Sequence, residues 1–274
     1  MKNNIEYRND QVSGKISWAL DTLQSVEISI SNECNRNCDL CPNKLDNKQH
    51  MTLDTVDYIT KRLKEINYTG RLGLSGFGEP MTHSEIWSVI LLLSASDAQI
   101  ELITNGDYLN VEVVRILHHT GVSKFLVSLY DGPQQIQKFE KMFDKAGVPD
   151  ALILRHRYNT NENFNNRGGL LWKAKVEGPC YLPFYKLMIN WNGDYHVCSN
   201  DWVGLTAELN VQKTSIEDFW FSKQMTKYRL DLLKGKRSLV PCKNCDCQGT
   251  LVGEKQFEYF EKYYGYKKNT LDSV

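Results

Sequence analysis

Three cysteines in one short run are the most distinctive feature of this 274-residue sequence. Cys34, Cys38 and Cys41 are spaced C-x₃-C-x₂-C. Three neighbouring thiolates can hold three corners of a [4Fe–4S] cluster and leave the fourth iron open to a ligand from outside the protein, which suits chemistry rather than electron storage. Structural zinc is the alternative, but zinc sites pair C-x₂-C units with a fourth Cys or His. No His lies between Ser31 and Gln49.

The composition limits the remaining function classes. The 33 basic and 33 acidic residues give a formal net charge of zero, and no polybasic run indicates nucleic-acid binding. The most apolar stretch, 89–93, is too short to span a bilayer, and the N-terminal decapeptide lacks the apolar core of a signal peptide. We therefore expect a cytoplasmic protein without membrane or nucleic-acid partners. In that compartment its eight cysteines indicate metal or redox chemistry rather than disulfides.

The first half alternates β-rich and amphipathic helical segments. The pattern predicts strands at 26–30, 72–75, 99–104, 124–129 and 151–158, with helices at 53–66, 84–95, 110–121 and 134–146. Thr52, Ser84 and Asn110 are the predicted helix N-caps, and Gly121 and Gly147 the predicted helix ends. This alternation favours a parallel sheet with right-handed crossovers. It does not distinguish an open sheet from a barrel, and it does not place a sixth strand.

The predicted strands carry potential ligand-binding residues at their carboxyl ends. They are Gly76-Phe77-Gly78-Glu79-Pro80 after the second strand, Thr104-Asn105-Gly106 after the third, Ser128 and Tyr130 at the end of the fourth, and Arg155 and Arg157 on one face of the fifth. Each has a structural alternative: a Gly/Pro turn, a turn asparagine, a tyrosine packed on a helix, or arginines at a solvated edge.

The cysteine triad, followed by GFGEP and TNG at successive strand ends, resembles the radical S-adenosylmethionine (SAM) superfamily. The resemblance implies an α/β fold, a partial (β/α)₆ barrel of the TIM type, with its chemistry at the strand carboxyl ends. It also implies a [4Fe–4S] cluster whose open iron binds SAM, and a 5′-deoxyadenosyl radical that abstracts hydrogen from the substrate. The cofactor-binding residues it implies are Leu40, Gly76, Phe77, Gly78, Glu79, Asn105 and Ser128. Phe77 replaces a family glycine, and Leu40 a residue that is usually aromatic.

The second half contains the other five cysteines. A two-residue hairpin turn is predicted at 191–194, between strands 187–190 and 195–197, and helical segments at 216–220 and 225–233. The G-x₄-C spacing from Gly193 to Cys198, the IEDFW helix and the terminal C-x₂-C resemble a SPASM/twitch extension. The resemblance implies a small α+β domain with one auxiliary [4Fe–4S] cluster held by Cys180, Cys198, Cys242 and Cys245. A four-cysteine zinc site is the alternative.

Cys247 makes a fifth candidate for four ligand positions. It is an alternative ligand, an inert thiol or a hydrogen-atom donor. The predicted organisation is an N-terminal extension (1–24), the barrel (25–168), the twitch domain (169–250) and a helical tail (251–274). The loop at 165–169 marks the predicted boundary between barrel and twitch domain.

A single auxiliary cluster with this cysteine spacing is most similar to the 2-deoxy-scyllo-inosamine dehydrogenases of the superfamily. The likeness implies oxidation of an alcohol to a ketone on a small polyol, sugar or cyclitol, with Arg155 or Arg157 orienting the hydroxyl and Tyr130 facing the substrate. It also implies a flavodoxin- or ferredoxin-type electron donor. The alternatives are a peptide-modifying maturase that makes a thioether, crosslink or epimer, and a non-catalytic iron–sulfur or zinc scaffold.

Overall fold

A computed structural model describes Tyr7 and residues 16–43, 48–158, 165–174, 176–247 and 253–266. Most of the predicted N-terminal extension and the end of the helical tail lie outside the described residues. Seven strands form one sheet in the order β5-β4-β3-β2-β1-β6-β7. The strands are β1 Ser25–Ile28, β2 Arg71–Leu74, β3 Gln99–Thr104, β4 Val122–Leu129, β5 Leu152–His156, β6 Lys186–Ile189 and β7 Tyr195–His196.

Among the described residues, four α-helices connect the first five strands, and four more lie in the second half. They are α1 Leu53–Glu65, α2 Ile86–Leu93, α3 Val111–Thr120, α4 Gln134–Ala146, α5 Leu182–Tyr185, α6 Ile216–Trp220, α7 Lys223–Leu233 and α8 Glu254–Tyr263. The first six strands pair in parallel, and each strand carboxyl end therefore opens on the same edge of the sheet.

The observed ends of the helices show which capping residues the sequence predicted correctly. Thr52 and Asn110 cap α1 and α3, accepting hydrogen bonds from the amides three residues on, and Gly147 ends α4 in the left-handed conformation with φ 80°. The Ser84 cap is wrong, because α2 begins at Ile86 with Glu85 at its cap position. The Glu85 amide instead donates to His83 Nδ1 at 3.1 Å, which holds this segment outside the helix.

The two faces of the sheet differ in polarity. The face towards the helices is apolar, and Val26, Ile28 and Leu72 on it are fully buried. The opposite face lines the interior of the barrel and carries charge: Arg71 forms a buried ion pair with Glu101. Burying charge is tolerated only when it is paired, and the interior of this barrel therefore combines a paired polar group with a small apolar cluster that includes Leu126 and Ile153.

The sixth parallel strand is the element that the sequence did not place. β6 pairs with β1, Leu187 lying opposite Val26, and not with β5. The same strand forms the predicted hairpin with β7, where Met188 lies opposite His196. Between β5 and β6 the described residues contain one four-residue helix, α5, instead of a full crossover helix. The hairpin of the second half thus belongs to the same sheet as β1, the strand that leads into the first cysteine loop.

Aromatic residues of α8 attach the end of the chain to this core. Phe260 is fully buried, with its ring centroid 5.9 Å from that of Phe184 and 6.4 Å from that of Trp220. Phe260 therefore packs in the core, whereas Tyr263 stays 54% exposed. Within the described ranges, no helix has both the length and the apolar character needed to cross a bilayer.

Candidate functional site

The three N-terminal cysteines lie together on the loop that follows β1. The loop turns back on itself, since the Cys41 amide donates to the Cys38 carbonyl at 3.1 Å, and the Arg36 amide donates to Cys34 Sγ at 3.4 Å. Burial raises the pKa of the Cys34 thiol, and the charges of Glu79 and of the other two thiols add to this effect. Three thiolates this close together need a cationic partner to be stable.

The predicted GFGEP segment runs directly along this loop. A Cβ on Gly78 would lie 2.4 Å from the Glu33 carbonyl oxygen and 2.6 Å from that of Ser31, and the close approach explains the glycine. Gly76 adopts φ 113°, a conformation that side chains rarely allow. The Glu79 amide donates to the Glu33 carbonyl at 2.8 Å. Backbone of the second strand end and of the cysteine loop therefore form one continuous surface.

The Glu79 carboxylate ties the second strand end to the third. Its Oε1 accepts hydrogen bonds from Thr104 Oγ1 at 2.7 Å and from the Met81 amide at 3.1 Å, and its Oε2 accepts one from the Asn105 amide at 2.8 Å. Burial raises the pKa of this carboxyl, and the three hydrogen bonds oppose that rise. Asn105 Nδ2 in turn donates to Asn35 Oδ1 in the cysteine loop at 2.7 Å. The side chains of Glu79 and Asn105 thus both form hydrogen bonds with other residues of the protein.

The fourth and fifth strands bring Ser128, Tyr130 and Arg155 to the same edge. Ser128 lies opposite Arg155 in the sheet, and its side chain is hydrogen-bonded to Tyr130. Burial raises the pKa of Tyr130, while the charge of Arg155 lowers it and that of Cys38 raises it. The phenol therefore lies within electrostatic reach of both the cysteine triad and Arg155.

Two other predicted residues are also at this edge. The Arg157 amide continues the ladder beyond β5 and donates to the Leu129 carbonyl at 2.8 Å. Leu40 is half-buried within the turn between the second and third cysteines of the triad. His156 lies between these two arginines in the chain and faces the other side of the strand, where its Nδ1 is 2.8 Å from the Tyr158 hydroxyl.

Arg36 is a site residue that sequence reasoning missed. Its guanidinium binds the carboxylates of Asp107, after the TNG turn, and of Asp131, after β4. It also lies 5.4 Å from the centroid of the Tyr130 ring. The available signal was weak: an arginine between two cysteines, and an aspartate after each of two strand ends. Arg36 connects the cysteine loop to two neighbouring strands.

A second missed group lies in the interior of the barrel, below the strand ends. The Glu27 carboxylate accepts a hydrogen bond from the Ser75 hydroxyl and forms an ion pair with the Lys186 ammonium group. Glu27 is only 8% exposed. Ser75 directly precedes the GFGEP segment, and the charge of Lys186 lowers the pKa of Cys198. This polar group therefore lies between the first strand ends and the second cysteine set.

Phe77 connects the same two regions through ring contacts. Its ring, in a residue 2% exposed, lies edge-on to Trp191 and Trp202 at centroid distances of 5.8 and 4.8 Å. It is also 5.6 Å from the His196 ring. A glycine at this position would leave that space empty. The departure from the family pattern thus serves packing against the second half of the chain.

All five C-terminal cysteines converge in the second half. Cys247 is hydrogen-bonded through its side chain to both Cys180 and Cys245, and these bonds together with burial raise the pKa of both partners. Burial also raises the pKa of Cys198 to about 12 and that of Cys242 to about 11. These thiols therefore lose their protons with difficulty until a metal centre replaces those protons. Cys247 lies at the centre of the set and not at its margin.

The loop predicted as a domain boundary packs on these cysteines. The fully buried Asn166 receives no solvent contact: its amide donates to Asp246 Oδ1 at 2.8 Å, and its Nδ2 donates to the Asn244 carbonyl at 2.7 Å. Gly168 and Gly169 both adopt positive φ, and a Cβ on Gly168 would lie 2.6 Å from the Asn200 carbonyl oxygen. The loop therefore packs against the segment that carries the last three cysteines.

Two family models match this chain, one over each of the two cysteine regions. The profile of the radical SAM superfamily matches residues 28–152, and that of the iron–sulfur cluster-binding SPASM domain matches residues 180–246. The chain therefore contains a radical SAM domain followed by a SPASM domain. The first implies a [4Fe–4S] cluster and SAM, and the second implies auxiliary iron–sulfur clusters.

Solved structures agree on the fold. The crystal structure of BtrN in complex with AdoMet and 2-DOIA superposes with a TM-score of 0.72 at 24% identity, over 82% of this chain and 93% of that one. BtrN in an open conformation gives a TM-score of 0.65 at 20% identity, over 86% and 97% of the two chains. Native anSMEcpe with bound AdoMet gives 0.54 at 13% identity, over 88% and 97%. The expected partial-barrel fold is thereby confirmed.

A curated relative gives a more limited likeness. A probable GTP 3′,8-cyclase of Pyrobaculum aerophilum is 27% identical over 139 residues, which are 48% of this chain. The matched part spans only 41% of the length of that relative.

The residues present fit the implied clusters. The first loop offers three thiols in one turn, and the second region offers at least four buried or half-buried thiols, the soft donors that iron–sulfur clusters use. In the part of the chain that the structure describes, no three His, Cys, Asp or Glu side chains are arranged to hold a single metal ion.

Proposed function

We propose that this radical SAM enzyme oxidises an alcohol carbon of a small polyol, sugar or cyclitol to a ketone. The observation that carries the proposal is the polar group of Glu27, Ser75 and Lys186 in the barrel interior. Glu27 lies on the first strand of the proposed SAM site and Ser75 directly follows the second, and the charge of Lys186 lowers the pKa of Cys198 in the second cysteine set. A carboxylate, an ammonium and a hydroxyl match the hydroxyl groups of such a substrate.

Two further observations support this substrate class. BtrN, which was crystallised with AdoMet and 2-DOIA, shares the fold over 82% of this chain. In addition, Arg155 lies at the strand edge beside Tyr130, close enough for its charge to lower the pKa of the phenol. A guanidinium has only donors, so it would orient a substrate hydroxyl by donating to the oxygen, and Arg157 would do so from the next outward position.

The proposed cofactor contacts follow the expected positions. Cys34, Cys38 and Cys41 would hold the cluster of the barrel, and Leu40, Gly76, Gly78, Glu79, Asn105 and Ser128 would surround SAM. Phe77, also expected there, would contribute only its backbone, because its ring packs against Trp191 and Trp202. The proposed auxiliary ligands are Cys180, Cys198, Cys242 and Cys245, with Cys247 as an alternative.

The overall reaction removes one hydrogen atom, one proton and one electron from the carbinol group. When bound, SAM and its cluster supply the radical that takes the hydrogen atom, and the auxiliary cluster accepts the electron. The hydroxyl proton passes to water while Arg155 holds the oxygen and the buried Glu27–Lys186 pair holds a neighbouring hydroxyl. A flavodoxin- or ferredoxin-type protein is the proposed source of the first electron.

An anaerobic assay with deuterated substrates tests the proposal. Reconstituted protein is incubated with dithionite, SAM and a panel of cyclitols, aminocyclitols and sugars that carry deuterium at the carbinol carbons. We expect one deuterium in 5′-deoxyadenosine for each carbonyl product, measured by mass spectrometry. A triple C34A/C38A/C41A variant should form neither product. Deuterium-free 5′-deoxyadenosine across the panel, with turnover of a peptide substrate, would reject the alcohol oxidation and favour a maturase.

A further inference from the structure

A buried arginine joins the two segments that carry the C-terminal cysteines. Arg237 is 8% exposed, and every nitrogen of its guanidinium donates to a backbone carbonyl. Its Nε donates to Gly178 at 3.0 Å and its Nη2 to Pro179 at 2.9 Å, which are the two residues that precede Cys180.

The third nitrogen reaches the other segment. Arg237 Nη1 donates to the Cys247 carbonyl at 2.8 Å and to the Cys245 carbonyl at 3.2 Å. Four hydrogen bonds from one side chain thus fix the backbone at Cys180 relative to the backbone at Cys245 and Cys247. These are the thiols that also contact each other.

In the part of the chain that the structure describes, carbonyl groups rather than a carboxylate surround the charge of this arginine. Among the described residues, no Asp or Glu oxygen lies within salt-bridge distance of Arg237, although other arginines of the chain form such pairs. Carbonyl groups stabilise a buried cation only in part, and a buried charge without a counter-charge is costly. The carbonyl groups of Cys245 and Cys247 are among the partners of Arg237, so thiolate ligands at these residues would bring negative charge close to the guanidinium.

We propose that Arg237 is a positioning residue of the auxiliary iron–sulfur cluster: it fixes the ligand loops and supplies the positive charge that raises the reduction potential of the cluster. A cluster with four thiolates becomes more negative on reduction, so a buried cation beside it stabilises the reduced form. The inference rests on the auxiliary cluster that the SPASM domain implies. It does not depend on the substrate or on alcohol oxidation.

Two substitutions separate the two roles. Lysine keeps the charge but has three donors and no planar fork, so R237K cannot reproduce all four hydrogen bonds. R237Q removes the charge and most of the donors. Arg115 provides the matched control, because it is half-exposed on α3 and its ion pair with Glu112 involves no cysteine segment.

The experiment uses the C34A/C38A/C41A background, in which the auxiliary cluster is the only cluster. We compare this background with the R237K, R237Q and R115Q substitutions made in it. Three quantities are measured: the iron content, the rate of iron transfer to a chelator, and the midpoint potential from an EPR-monitored redox titration. We expect R237Q to disfavour reduction by about tenfold, which corresponds to 59 mV for a one-electron couple. R237K should keep the potential within that margin but lose iron at least about tenfold faster.

Each outcome decides one part of the proposal. A wild-type potential in R237Q would overturn the electrostatic role, and wild-type iron retention in R237K would overturn the positioning role. If R237Q does not fold, R237K still decides the positioning role, and an unchanged potential in a folded R237M decides the charge role. Because no substrate is present, a negative result here is distinguishable from failure of the proposed oxidation.

Discussion

The guanidinium of Arg36 binds the carboxylate of Asp107 through two hydrogen bonds of 2.6 Å, one from Nε and one from Nη2. The same guanidinium reaches Asp131 with hydrogen bonds of 2.7 and 2.8 Å. One residue of the cysteine loop is thereby connected to the ends of β3 and β4. Paired, parallel contacts of this kind fix orientation as well as distance.

The R36A substitution should loosen the cysteine loop. Because these carboxylates are partly exposed, we expect a loss of only about 1 kcal/mol in unfolding free energy, measured by denaturant titration. In a double-mutant cycle with D107N, the two effects should fail to add by at least about 0.5 kcal/mol. The exposed pair of Arg115 and Glu112 is the control and should show coupling near zero. Additive effects of R36A and D107N would contradict a coupled contact.

The pH dependence of this contact follows from its pKa shifts. The Arg36 guanidinium lowers the pKa of Asp107 and Asp131 below their ordinary value of 3.8. A depressed carboxyl pKa contributes stability that is present above the unfolded value and is lost as the pH falls through the folded value. The difference in unfolding free energy between the wild type and R36A should therefore be constant from neutral to mildly alkaline pH. A difference that changes across that range would implicate another group.

Replacing Glu79 should expose the cost of an unpaired buried amide. In E79Q the side-chain NH₂ would face the Asn105 amide, which now donates at 2.8 Å, so one buried donor loses its acceptor. We expect destabilisation of about 1–3 kcal/mol by denaturant titration. E85Q, at the exposed start of α2, makes the same chemical change without a buried contact and should be nearly neutral. Equal effects of the two substitutions would contradict the tie between β2 and β3.

The elements that the sequence predicted correctly depend on local signals. The Thr52 cap and the Gly147 helix end are decided by residues within one turn, so they could be read without tertiary information. The place of β6 beside β1 could not, because it depends on the register of Leu187 against Val26 across most of the chain. The same applies to Arg237: nothing in its local sequence indicates that it contacts two cysteine segments.

Truncating Phe77 should weaken the contact between the barrel and the SPASM domain. F77A removes a buried ring that lies 4.8 Å from Trp202 and 5.8 Å from Trp191, and we expect a cost of about 3–5 kcal/mol in unfolding free energy. Tyr58 is 41% exposed on α1, so Y58A is the matched aromatic truncation and should cost less than about 0.5 kcal/mol. Similar values for the two would show that the ring cluster contributes little to stability.

Alanine at Gly78 should displace the cysteine loop by steric contact alone. The new Cβ would lie 2.4 Å from the Glu33 carbonyl oxygen, which is backbone and cannot move aside independently. We expect SAM-dependent 5′-deoxyadenosine formation to fall at least about tenfold, equivalent to 1.4 kcal/mol. G147A is the control, since it strains a backbone with φ 80° but meets no atom within 4 Å. It should cost about 1–2 kcal/mol of stability and leave 5′-deoxyadenosine formation unchanged.

The central place of Cys247 predicts that it substitutes for a neighbouring ligand. Its side chain is hydrogen-bonded to both Cys180 and Cys245, so it faces the same space as the proposed ligands. With two clusters, the wild type should contain about eight irons per chain, and C198A, which removes a ligand other than these two neighbours, about four. C247A and C245A should each keep about eight, because each leaves the other thiol of the pair to fill the same ligand position, whereas the double C245A/C247A variant should fall to about four. Full loss of the auxiliary cluster in C247A alone, with retention in C245A, would instead make Cys247 the resident ligand.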